Sequence, residues 1–233
     1  MDISDILDSV TSTSNRADPF SPSPTSTPSG QALLQSLTRA YINERSSPSL
    51  LPWPANNLIP HISALIKSQI DAVELLTGDM DPRSNFALIV IQTELERWKF
   101  LLRGLLRARL SKIDRFAAFY LSEAEGEDGR MSEDERAYAL RHQALLKAHY
   151  DASFLGAFPA QLRGLSDTAG GISMVDGPDA EKGVFARAIQ DEVMFEARGR
   201  ESDGLVEMKR GEVVVARWKD VEEAVGKGEL ELV

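Results

Sequence analysis

The chain has no cysteine and only three histidines among its 233 residues. The first absence excludes a disulfide framework, a thiolate zinc site and a cysteine nucleophile. The second leaves His61, His142 and His149 as the whole supply of imidazole. His142 and His149 share a helix face, because seven residues is close to two turns. Two turns is also about 10.5 Å of rise, too far for both rings to ligate one ion at about 2 Å. Long apolar runs are lacking as well. The densest, residues 86–91, is far shorter than the roughly 20 residues that a membrane span needs. The first residues hold Asp2, Asp5 and Asp8 without a basic flank, unlike a secretory signal. The expectation is a protein inside the cell, neither secreted nor inserted in a membrane.

Catalytic templates are missing too. There is no G-x-x-x-x-G-K-[ST] loop, no G-x-G-x-x-G after a strand, no H-E-x-x-H and no G-x-S-x-G. Thr168-Ala169-Gly170-Gly171 reads as an interdomain turn rather than a phosphate cradle. Among 36 acidic residues a carboxylate pair is expected by chance and means nothing without a pocket. We therefore expect no catalytic residue, no cofactor and no metal site. A net charge of -10 argues against a broad electrostatic grip on nucleic acid or anionic lipid, so any basic surface must be local.

What is present is a helical chain with a different C-terminal end. Residues 11–30 are nearly all Ser, Thr, Pro and small residues, a composition that cannot bury enough apolar surface to order itself. They read as a tether, in which Ser21-Pro22, Ser23-Pro24 and Thr27-Pro28 could accept proline-directed phosphorylation. Ahead of the tether, residues 1–10 place Ile3, Ile6, Leu7 and Val10 on one face of a short helix. Helical periodicity then dominates from residue 31 to 160. It predicts helices over 32–44, 58–76, 82–110 (Asp81-Pro82 opening), 112–121 and 132–155, the last with Ser132 and Glu135 at capping-box spacing. Residues 123–130 form an acidic loop. A Gly-rich linker, residues 161–180, leads to a β-rich domain over 181–233. Strands are expected at 184–189, 193–197, 205–208, 213–218 and 229–233, with turns at Asp203-Gly204 and Arg210-Gly211 and a helix over 220–225. The predicted fold class is mostly α with a small β domain, a helical bundle followed by a β-rich module.

The long third helix carries the most information. On a wheel of about 100° per residue, Phe86, Val90, Ile91, Leu95, Trp98, Leu101, Leu102, Leu105 and Leu106 spread over more than half the circumference. Gln92, Glu96, Lys99, Arg103 and Arg107 form a narrow polar strip interrupted by Ile89. A helix this broadly apolar needs cover from two sides, which predicts an interface shared with partner subunits. The candidate interface residues are Trp98, Leu101, Leu102, Leu105, Arg103 and Arg107. The same helix and its successor concentrate Arg97, Lys99, Arg103, Arg107, Arg109, Lys112 and Arg115. This cluster could meet nucleic-acid phosphates, the alternative function for the chain. Salt bridging to acidic neighbours is the simpler expectation, because no aromatic stacking positions interleave it.

Several strings resemble the GINS family of eukaryotic DNA replication, and within it the Sld-five subunits. They are RAYINERSSPSLL (39–51), QTELERWKFLLRGLLRARLSKIDRF (92–116), MSEDERAYALRHQALL (131–146), GPDAEKGVFARAI (177–189) and VGKGELELV (225–233), with RARLSKI the most specific. The resemblance implies a helical A domain and a β-rich B domain in a heterotetramer with three Psf subunits. It further implies an assembly with the Cdc-forty-five protein and the MCM helicase ring in the nucleus, ATP chemistry being carried out by MCM. Residues 1–10 are similar to the short helix by which fungal Sld-five subunits dock on the trimeric hub Ctf-four. That implies Ile3, Asp5, Ile6 and Leu7 as groove-inserting residues. The expected role is thus a non-enzymatic assembly subunit, without membrane contact and with no predicted direct contact to DNA.

Overall fold

A computed structural model describes residues 30–54, 57–78, 82–123, 130–159, 163–164, 175–198 and 203–233. The expected docking helix (1–10), the tether up to residue 29, the acidic stretch 124–129 and Thr168 to Gly171 lie outside the described residues.

Five α-helices come first: α1 (Gly30–Ser46), α2 (Leu58–Leu76), α3 (Pro82–Arg115), α4 (Ala117–Glu123) and α5 (Glu133–Ser153). A 3-10 turn over Leu155–Ala157 follows. The capping box at α5 forms as its spacing predicts. The Glu135 N–H donates to Ser132 Oγ at 3.2 Å, and the Ser132 N–H donates to Glu135 Oε2 at 3.0 Å. One boundary differs from expectation. Residues 112–115 extend α3 instead of opening a new helix, since neither Gly nor Pro interrupts them, and the bend comes at Phe116. Gly104 fits a close approach inside this framework. A Cβ there would lie 2.8 Å from Cε2 of Tyr41, so α1 and α3 pack with the Tyr41 ring against bare backbone.

The C-terminal part contains β1 (Gly183–Ala188), β2 (Val193–Arg198), β3 (Asp203–Met208), β4 (Val213–Arg217), α6 (Trp218–Lys227) and β5 (Leu230–Leu232). β1 is the centre of an antiparallel sheet ordered β4-β1-β5, and β2 pairs with β3 in a hairpin. Asp203-Gly204, expected as a turn, instead begins β3, with Gly204 opposite Ala197; ladder pairing overrides local turn preference. Trp218, expected to close a strand, is the first residue of α6 and is buried. Gly228, at a φ of 76°, ends that helix in the left-handed conformation, and its N–H bonds the carbonyls of Ala224 and Val225.

The described residues divide into two compact units. One comprises those within Met1–Leu37 and Asn57–Leu101, the other those within Thr38–Asn56 and Leu102–Val233. The division crosses α1 and α3, whereas composition placed a boundary in the linker. In the first unit Leu33, Leu37, Leu58, Ile62, Leu95, Trp98 and Leu101 are buried.

The second unit holds two cores that meet at one dipeptide. Leu50 is buried with Ile113, Tyr120 and Ala139. Its neighbour Leu51 joins Val184, Ala186, Phe195, Trp218, Val221 and Leu230 in the β-domain core. Polar bonds fasten this strap, residues 47–54, and the end of α1 that precedes it. The Leu50 N–H donates to the Tyr120 hydroxyl at 2.9 Å, Trp218 Nε1 donates to Ser49 Oγ at 2.7 Å, and the Leu232 N–H donates to Asn43 Oδ1 at 2.8 Å.

Beneath the strap lies a buried charge cluster. Arg109 is fully enclosed, and all five of its N–H donors are used. Nε and Nη2 form a fork with Glu135 at 2.8 and 3.0 Å, Nη1 reaches Glu44 Oε2 at 3.0 Å and the Leu51 carbonyl at 2.9 Å, and Nη2 also reaches the Arg130 carbonyl at 2.6 Å. The guanidinium carbon sits 5.0 Å from the Trp53 ring centroid. Lys112 Nζ donates to Glu44 Oε1 at 2.7 Å, to Ser47 Oγ at 2.7 Å and to the Ser49 carbonyl at 2.8 Å. Burial pushes the Lys112 ammonium below its ordinary value, and Glu44 acts against that shift. Two cations and two carboxylates thus balance away from water.

Removing one member leaves the others uncompensated. Arg109→Met is expected to lower stability by about 3–5 kcal/mol in chemical denaturation, whereas Arg103→Met on the exposed side should change it by less than about 0.5 kcal/mol. A second prediction concerns acid. Burial would raise the Glu231 carboxyl, but bonds from Arg187 and Arg39 outweigh it and hold the group below its ordinary value. Its stabilisation is present above the unfolded carboxyl value and is lost as pH falls through the depressed folded value. The gap in denaturation midpoint between the native protein and Glu231→Gln should therefore be full at pH 7 and close progressively in acid. A gap independent of pH would contradict the assignment.

Candidate partner interface

The helical period decides which residues of α3 face inward. Leu95, Trp98, Leu101, Leu105, Arg109 and Ile113 follow one another at steps of three and four, and all are buried. This corrects part of the sequence expectation. Trp98 (4% exposed), Leu101 and Leu105 (1% exposed) were candidates for a shared interface, yet they are enclosed by this chain. Leu102 is half-buried, and Arg103 and Arg107 are exposed.

The apolar excess of the helix is real but lies elsewhere. Phe86 (50% exposed), Ile89 (60%) and Phe100 (65%) fall within about 60° of one another on the wheel, roughly opposite Leu95. Ile89, which looked like an interruption of the polar strip, therefore marks a second apolar stripe in the first unit. The second unit has its own exposed apolar surfaces. Leu140 and Leu145 project from α5, and Phe154 and Phe158 stack edge to face beyond it with centroids 6.3 Å apart. On the outer face of the sheet, exposed Phe185 stands opposite exposed Val215, with Val213 and Val233 also exposed. Contiguous apolar patches, unlike apolar residues exposed singly, mark interaction surfaces in soluble proteins.

The basic cluster splits by environment. Arg109 and Lys112 are committed to Glu44 and Glu135 inside the fold, as the salt-bridge reading expects. Lys99 lies 3.9 Å from Glu96 on the helix surface. Ring nitrogen Nδ1 of His142 is 3.9 Å from Asp114. Among the described residues, no three His, Asp or Glu side chains are grouped to hold a metal ion, and no helix is long and apolar enough to cross a membrane.

Similarity to known proteins follows the division into a helical part and a β-rich part. Residues 58–154 match the family described as the GINS complex protein helical bundle domain, and residues 178–233 match the DNA replication complex GINS protein SLD5 C-terminus. The DNA replication complex GINS protein SLD5 of Chaetomium globosum is 51% identical over 233 residues, covering all of both chains. The chain belongs to the GINS SLD5 family. A second SLD5 protein, from Yarrowia lipolytica, is 35% identical over 202 residues, 86% of this chain and 76% of its own. The sld5 protein of Schizosaccharomyces pombe is 32% identical over 199 residues, 85% of this chain and 91% of its own. As a GINS SLD5 protein, the chain is a DNA replication protein with a helical bundle and a small C-terminal β domain.

Sequence reasoning missed Phe100, the two leucines of α5 and the outer face of the sheet. For Phe100 the signal was available, because it shares the direction of Ile89. For the sheet it was not, since alternation reveals two faces but not which one a neighbour covers.

Proposed function

We propose that this chain is a non-catalytic structural subunit of a GINS heterotetramer in the nucleus. The tetramer combines it with three Psf subunits and joins the Cdc-forty-five protein and the MCM ring in the replicative helicase, serving initiation and elongation while MCM carries out the ATP chemistry. The observation that carries this reading is the stripe of Phe86, Ile89 and Phe100 exposed on α3, opposite its buried row. In water such a stripe is unfavourable at about 25 cal/mol per Å², and a subunit interface removes that cost. Family membership supports the same role. The SLD5 relatives are named as members of a DNA replication complex. Residues 1–10, through Ile3, Asp5, Ile6 and Leu7, would link this assembly to a Ctf-four-type hub.

The rival reading, a nucleic-acid module built on Arg97 to Arg115, loses support because Arg109 and Lys112 are internal. Salt-dependent DNA binding by the chain, abolished by Arg103→Glu with Arg107→Glu, would revive it.

Expressed alone, the chain is expected to self-associate or precipitate, and co-expression with three partner subunits should render it soluble. The double variant Phe86→Glu, Ile89→Glu should lose co-purification, at a cost above about 2 kcal/mol, while circular dichroism stays unchanged. A well-behaved monomer, or a variant that still assembles, would count against the reading. Separately, Ile6→Ala with Leu7→Ala should abolish hub binding in a pull-down and leave the tetramer intact. Unchanged hub affinity would refute the docking role.

A further inference from the structure

We draw no further inference here: the strongest candidate, the apolar outer face of the β4-β1-β5 sheet, where Phe185, Val213, Val215 and Val233 are exposed, carries nothing because no feature of the structure shows what covers it.

Discussion

Arg109 is the point on which the second unit turns. A guanidinium cannot lose its proton in a protein, so burying one without partners is prohibitively unfavourable. The fold meets that demand by bringing four pieces of chain to one place. α1 supplies Glu44, the strap supplies the Leu51 carbonyl, the turn before α5 supplies the Arg130 carbonyl, and α5 supplies Glu135. Glu135 also closes the capping box of α5, so one carboxylate fixes where that helix starts and how it meets α3. Lys112, one turn further along α3, ties the other oxygen of Glu44 to the strap. The value of such a cluster lies in specificity. Hydrophobic substitutes could match its stability, but they would not dictate one register of four segments.

The β domain inherits its position from the same strap. Ser49 and Leu51 reach into it, while Asn43 and Arg39 of α1 hold β5 through Leu232 and Glu231. A β module of about 50 residues has little core of its own, and here it borrows an apolar residue and several polar bonds from the helical part. This explains why composition divides the chain at a glycine-rich linker while packing divides it across α1 and α3. The linker marks a change in secondary structure, and the two family matches, 58–154 and 178–233, lie on either side of it.

Much of the fold was legible because its signals are local. Helix periods, the Ser132–Glu135 spacing and alternating β-branched residues each depend on a few neighbours in sequence. The errors came where distant partners decide. Trp98, Leu101 and Leu105 look the same on a wheel whether cover comes from this chain or from another, and here it comes from this chain. Asp203-Gly204 is a turn by preference and a strand by pairing. For Arg109 the expected salt bridging is found, but nothing in the sequence says that Glu44, 65 residues away, will supply it.

Leu50 and Leu51 are consecutive, yet their side chains enter different cores. One rigid peptide link therefore works as a mechanical coupling between the two packing regions: loosening either drags on the other, so both should melt in a single event. A helical fragment trimmed at the glycine-rich linker would keep Leu50 seated while stripping the lid from Leu51. Such a truncation would be born with an oily wound next to its buried charges.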